Sequence, residues 1–183
     1  MARTVNERPD PYEECPVYAG KYTTLRLVKK DDESDLLKCY ADPAARQIFN
    51  SDNCNNNFFY DTAEQMRDCI DFWLECYKGG GFVRFAIVDN ESGKAIGTVE
   101  IFGGDYGVLR IDVLSEYETE AYLNELVKTA DSFFYDFGCE NIITKAVPIA
   151  AARASALTRN GYAPADIGDG SNREHYYLKK APA

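Results

Sequence analysis

Three strand-like runs lie close together between residues 84 and 114, and this arrangement constrains the fold most. RFAIVD (Arg84–Asp89) and AIGTVEIF (Ala95–Phe102) are rich in β-branched and apolar residues, and the turn-forming segment NESGK separates them. This pattern predicts a β-hairpin. VLRIDVL (Val108–Leu114) predicts a third strand. A sheet of this kind needs helices to cover its faces.

The flanking sequence supplies those helices together with further strands. Apolar residues at helical spacing predict helices from Asp31 or Asp32 to about Tyr40, after Asp61-Thr62 to Gly79, from Thr119 to Gly138, and from Ala150 to Arg159. Asp42-Pro43 is expected to end the first helix, and Gly79–Gly81 the second. Further strands are predicted at Thr23–Val28 and Asn141–Val147, and a closing hairpin is predicted from APADIG and HYYLKK.

The order of these elements predicts one domain of the α/β (α+β) class. We expect a single mixed, mostly antiparallel central sheet flanked by helices on both faces. Residues 1–20 are polar and contain three prolines, which predicts an N-terminal arm, and residues 21–183 form the domain. The segment 50–57, NSDNCNNN, is typical of a solvated loop.

Composition and charge limit the classes of function that the chain can have. The formal charge of -10 and the isoelectric point near 4.6 disfavour nucleic-acid binding, which needs a basic surface, and are compatible with a cationic partner. The sequence shows no signal peptide and no membrane-length apolar run, so we expect a cytoplasmic protein that does not contact a membrane. Its six cysteines are scattered and are expected to be reduced. The single histidine, His175, disfavours a histidine-based zinc site and a Ser/His/Asp triad.

The stretch SEYETEAY (Ser115–Tyr122) joins the third strand to a predicted helix. Such junctions often hold phosphate, because free backbone N–H groups and the helix dipole converge there. This junction contains no glycine and has three glutamates, Glu116, Glu118 and Glu120. Carboxylates also stabilise a helix N-terminus, so the loop's own anions are expected to fill the position.

Several stretches, in this order, resemble the GNAT superfamily of N-acetyltransferases, within it the ribosomal-protein and small-substrate branch. The matching stretches are LRLVKKDDESDLL, Asp42-Pro43, FAIVDNESGKAIGTVEIF, FFYDFGCENI and LTRNGY, and they span roughly residues 22 to 180. The resemblance implies that acetyl-CoA binds against a splayed pair of central strands. It also implies transfer of the acetyl group to an amine of a small molecule or a protein N-terminus, and it admits a homodimer.

The resemblance also aligns the family's phosphate loop, Arg/Gln-x-x-Gly-x-Gly/Ala, with Tyr117–Tyr122, and the loop is degenerate here. Tyr117 stands at the basic or amide position, and Glu120 and Tyr122 stand at the two small positions. Many relatives carry an Asn and a Tyr where this chain has Ala150 and Leu157. The cofactor-binding residues that the alignment implies are Val113, Leu114, Tyr117, Glu118, Thr119, Glu120, Ala121, Tyr122 and Arg153.

Acetyl transfer to an amine needs a base and often an acid. Glu100 and Asp112, on central strands, are the candidate bases, and Tyr106 is a candidate acid. The alternative for each carboxylate is a position in solvent or a pair with Arg84 or Arg110. The alternative for the whole chain is a GNAT-shaped protein without transferase activity that serves in binding or regulation.

Overall fold

The computed structural model describes residues 9–49, 58–104, 106–167 and 174–182. The predicted loop at 50–57 and the tip of the closing hairpin at 168–173 lie outside the described residues. The strands are β1 Tyr18–Ala19, β2 Thr23–Leu27, β3 Val83–Asp89, β4 Ala95–Phe102, β5 Gly107–Val113, β6 Asn141–Lys145, β7 Ala163–Pro164 and β8 Tyr176–Lys180. The helices are α1 Glu33–Ala41, α2 Pro43–Arg46, α3 Ala63–Lys78, α4 Glu120–Thr129, α5 Asp131–Asp136 and α6 Ala151–Arg159.

The eight strands form one sheet in the order β1-β2-β3-β4-β5-β6-β8-β7. All neighbouring pairs are antiparallel except β5 and β6, which run parallel. The predicted mixed, mostly antiparallel sheet is therefore confirmed. The predicted hairpins are also present, since β3 pairs with β4 and β7 pairs with β8.

Helices cover both faces of the sheet, as the sequence predicts. One apolar core lies between the sheet and α4, α5 and α6, and it takes Val99, Ile101 and Leu109 from the central strands. The other lies under α1 and α3 and contains Tyr40 and Trp73. Because residues alternate across a strand, the polar residues Thr98 and Glu100 of β4 and Arg110 and Asp112 of β5 face this second layer. Polar side chains at those positions are consequently buried.

Local signals explain where the helices begin and end. Thr62 caps α3 through a capping box with Gln65, and Gly79 ends it. Asp42 ends α1 and caps α2, whose first residue is Pro43. None of the described helices combines the length and the apolar character needed to cross a membrane.

The structure corrects one detail of the predicted helices and adds one detail to the sheet. The predicted single helix from Thr119 to Gly138 is divided at Ala130 into α4 and α5, because Ala130 closes one helix and precedes the next. The sheet also begins within the predicted arm, since Tyr18 and Ala19 pair with β2. The described cysteines, at positions 15, 39, 69, 76 and 139, are free thiols.

Candidate active site

The site begins where β5 and β6 separate. These parallel neighbours pair at only two positions, Gly107 with Ile142 and Val108 with Ile143. β5 then continues to Val113 and β6 to Lys145 without further pairing to each other. A crevice at the carboxyl ends of parallel strands is the usual ligand position in open α/β sheets. The splayed central strands that the resemblance implies are thus present.

The loop after β5 leads from the carboxyl end of that strand to the N-terminus of α4. A 3-10 turn, Ser115–Tyr117, leads to Thr119, which precedes α4. The Ser115 N–H donates to Asp42 Oδ2 at 2.9 Å, which ties the loop to the start of α2. The Thr119 side chain does not cap α4, so the first-turn N–H groups of Glu120, Ala121 and Tyr122 receive no hydrogen bond from a capping side chain. An uncapped first turn with its dipole is suited to an anion.

Two acidic side chains of the loop, those of Glu118 and Glu120, accept hydrogen bonds from α6. Glu118 accepts two hydrogen bonds from Arg153 of α6, from Nε at 2.9 Å and from Nη2 at 2.8 Å. The exposed fractions of the two side chains are 8% and 2%. Glu120 accepts from Ser155 and Arg159 on the same helix. Glu118 therefore occupies the Arg153 guanidinium, and the expectation that the loop's own carboxylates fill the anion position at the start of α4 stays a prediction.

The remaining residues of the predicted cofactor set differ in how far they are buried. Val113 is buried in the core and Leu114 is half-buried against both cores. The rings of Tyr117 and Tyr122 meet edge to face at 5.0 Å, and the Tyr122 hydroxyl donates to Asp89 Oδ1 at 2.9 Å. Burial, with that hydrogen bond, raises the pKa of Tyr122 to about 12, so it remains a neutral donor. Thr119 and Ala121 are exposed.

A cluster of buried charged side chains lies on the face of β3, β4 and β5 that α1 and α3 cover. Arg84 donates through Nη2 to Glu100 Oε2, and through Nη1 to Thr98 Oγ1 at 3.2 Å and Asp112 Oδ2 at 3.3 Å. Arg110 reaches the other oxygen of Glu100 at 3.1 Å. The structure thus brings Glu100 and Asp112 together around Arg84, and the predicted alternative of pairing with Arg84 or Arg110 is what it shows.

The two candidate bases differ in what their oxygens contact. Both oxygens of Glu100 accept from guanidinium groups. Asp112 uses Oδ2 for Arg84 and the Tyr40 hydroxyl, at 2.8 Å, whereas Oδ1 has no partner among the described residues. Burial raises the pKa of Asp112, and Arg84 and Tyr40 offset this only in part. Asp112 therefore has both a free oxygen and a pKa raised above the ordinary aspartate value.

The structure does not bring Tyr106 to this group. It is exposed and lies at the amino end of β5, roughly 20 Å along the strand from Val113. Ala150 and Leu157, which stand where many relatives of the resembling family have polar residues, are buried.

Sequence reasoning missed two residues that hold parts of the candidate site in place. Tyr40 contacts Asp112 from α1, 72 residues away, and Asp42 holds Ser115. The available signal was the run of charged residues at even positions in strands whose odd positions are apolar, because such a strand is covered on both faces.

No protein-family model and no curated protein sequence matches the chain. Solved structures do match. The ribosomal-protein-S5-alanine acetyltransferase from Vibrio fischeri superposes with a TM-score of 0.70 at 17% identity, covering 91% of this chain and 97% of that one. A GNAT-family acetyltransferase from Bacillus anthracis gives 0.69 at 12% identity, covering 91% and 99%. Mycobacterium smegmatis RimJ, in complex with CoA-disulfide, gives 0.70 at 15% identity, covering 87% and 82%. Together with the split of β5 and β6, these likenesses show that the chain has the fold of the GNAT acetyltransferases.

Proposed function

We propose that this chain is an N-acyltransferase that takes an acetyl group from acetyl-CoA and passes it to an amine. The observation that carries the proposal is the convergence of three features at the carboxyl end of β5. The strands β5 and β6 separate there, α4 begins there without a side-chain cap, and the buried guanidinium of Arg153 lies beside the same loop. The CoA in the RimJ structure named above supports the same cofactor class.

The residues at the loop fit a diphosphate. The first-turn amides of α4, at Glu120, Ala121 and Tyr122, supply N–H donors, and the helix dipole favours negative charge. Arg153 has a buried Nη1 with no hydrogen-bond partner among the described residues. A buried donor without a partner is costly, so an incoming phosphate oxygen would satisfy it. These groups would hold the cofactor, which supplies the activated thioester.

Asp112 is the base that the geometry favours over Glu100 and Tyr106. Its unpartnered Oδ1 is free to take a proton from the acceptor's ammonium group, which leaves a neutral amine to attack the thioester carbon. Its raised pKa makes it a stronger base than an exposed aspartate. Tyr40 and Arg84 fix the other oxygen and hold the carboxylate in place.

A cationic amine is the acceptor class that the charges favour. The chain carries a formal charge of -10. A cleft of about 650 Å³ at the end of β6 is lined in part by Asp166, Glu174 and the aromatic ring of Tyr177. Carboxylates and aromatic faces both attract ammonium groups. A small amine and a protein N-terminus both carry such a group.

The alternative is a GNAT-shaped binding protein that does not transfer the acetyl group. It remains an outcome of the test because the buried alanine and leucine at positions 150 and 157 cannot donate a proton to a leaving thiolate. This alternative predicts that no CoA thiol is released from acetyl-CoA even when acetyl-CoA binds.

Two measurements test the proposal. Calorimetric titration should show CoA binding, and incubation with acetyl-CoA and a set of small amines and N-terminal peptides should release CoA thiol. Asp112→Asn should lower kcat about 100-fold or more while the Kd for CoA stays within about twofold. Absence of CoA binding at millimolar ligand would overturn the proposal, and binding without thiol release would establish the alternative.

A further inference from the structure

The loop before α4 contains an ion pair that is unusual in its burial. Glu118 and Arg153 are 35 residues apart in sequence, and two hydrogen bonds join them. Both side chains are nearly inaccessible to solvent. The neighbouring pair between Glu120, the first residue of α4, and Arg159 of α6 is different, because both of its side chains are 56% exposed. Water screens the second pair and leaves the first pair strong.

Arg153 is only partly satisfied by this pair. Its planar group has five N–H donors. Nε and Nη2 contact Glu118, whereas Nη1 is buried without a partner among the described residues. The guanidinium therefore has unused donors toward a second acceptor, next to a helix start whose amides lack a cap.

We infer that Glu118 acts as an internal anion that competes with the diphosphate of CoA for Arg153. This inference rests on the proposed function, because it concerns the same cofactor site. The Nε and Nη2 fork of Arg153 can hold only one bidentate acceptor, and it now holds Glu118. A diphosphate at the start of α4 would lie close to that carboxylate, and the two anions would repel each other in a poorly solvated place.

The competition weakens cofactor binding without any change to the cofactor's other contacts. Binding requires either that Glu118 release Arg153 or that the diphosphate accept only the remaining Nη1 donor beside a negative charge. A ligand without the diphosphate meets neither obstacle. The affinity for CoA should therefore depend on the charge of Glu118, whereas the affinity for pantetheine, which lacks the nucleotide and its diphosphate, should not.

The experiment is calorimetric titration of CoA and pantetheine into the wild type, Glu118→Gln and Glu116→Gln. Glu116 is an exposed residue of the same loop, so its variant removes an equal charge without touching Arg153. We expect Glu118→Gln to tighten CoA binding about tenfold or more, because a buried pair is costly to break. We expect Glu116→Gln, and pantetheine with every variant, to stay within about twofold of the wild type.

The outcomes separate this inference from the proposed function. If the wild type binds CoA and a folded Glu118→Gln variant binds it no more tightly, the competition does not exist and the proposed function stands. If neither binds CoA at millimolar ligand, both are overturned. If Glu118→Gln fails to show a cooperative thermal transition, Glu118→Asp replaces it, since the shorter side chain weakens the fork. A severalfold gain in CoA affinity then supports the competition, and no gain overturns it.

Discussion

The carboxylate of Glu125 joins α4 to the edge of the sheet through several hydrogen bonds. It lies on α4 and accepts hydrogen bonds from the backbone N–H groups of Lys21, Tyr22 and Thr23 and from the Thr23 hydroxyl, at 2.7 to 3.1 Å. These donors lie in the turn between β1 and β2 and at the first residue of β2. A single side chain therefore fastens the edge of the sheet to the helix that begins at the candidate site.

We expect Glu125→Gln to lower the free energy of unfolding by about 1–3 kcal/mol, because the amide replaces a charged acceptor and cannot serve all of these donors. Urea unfolding followed by circular dichroism measures the change. Glu120→Gln is the control, since it removes the same charge from the same helix but affects only an exposed pair with Arg159 and an exposed hydrogen bond from Ser155, and it should cost less than about 0.5 kcal/mol. Equal effects of the two variants would contradict the role of Glu125.

Asp89 gives a prediction for pH. Burial acts to raise its pKa, but hydrogen bonds from Ser92 and Tyr122 outweigh burial and leave the pKa below its ordinary value. A folded-state pKa below the unfolded value means that the stabilisation is complete above the unfolded pKa of about 3.9 and is lost as the pH falls through the folded value.

Asp89→Asn should therefore reduce the free energy of unfolding by about 1–2 kcal/mol at pH 7, and the difference from the wild type should shrink below about pH 4. Urea unfolding at several pH values measures it. Asp68→Asn, at an exposed position on α3, serves as the control for the general effect of charge. A difference that grows as the pH falls would show that the hydrogen bonds do not favour the ionised form.

At the scale of elements, the site depends on how closely β4 approaches β5. A Cβ atom at Gly97 would lie 2.1 Å from the Asp112 carbonyl oxygen and 2.7 Å from the Val113 Cα. Only glycine permits this approach, and it occurs beside the candidate base and at the end of β5 where the cofactor loop begins.

Gly97→Ala should force the strands apart and lower the free energy of unfolding by about 1–3 kcal/mol. It should also weaken CoA binding, because the carboxyl end of β5 moves. Thermal unfolding and calorimetry test both effects. Gly93→Asn is the matched control in the β3–β4 turn, where φ is +70° and no neighbour lies within 4 Å of the added atom, and where asparagine tolerates the backbone. Preserved stability in Gly97→Ala would show that β5 can move at little cost.

Sequence reasoning at this scale succeeded where the signal is local. The capping box and apolar face of α3, and the β3–β4 hairpin, are specified by residues within a few positions of one another. The break at Ala130 has no glycine or proline to mark it. The contacts that define the site, Glu118 with Arg153 and Asp112 with Tyr40, join residues 35 and 72 positions apart, so only the packed sheet brings them together.

At the scale of the molecule, charge is distributed in two different ways. The charged side chains buried under α1 and α3, namely Arg84, Glu100, Arg110 and Asp112, balance to zero. The whole chain, by contrast, carries a formal charge of -10. The field outside the protein is therefore negative, whereas the proposed ligand, CoA, is an anion held by a few local donors.

This opposition predicts the salt dependence of association. A negative protein repels an anionic ligand over distances that salt screens, so the association rate constant of CoA should rise severalfold as ionic strength increases from about 0.02 M to about 0.2 M. Stopped-flow measurement of the association rate tests this, with pantetheine as the uncharged control whose rate should not change. A rate that falls with salt would mean that the field of Arg153 and the α4 amides reaches beyond the crevice and exceeds that of the surrounding acidic surface.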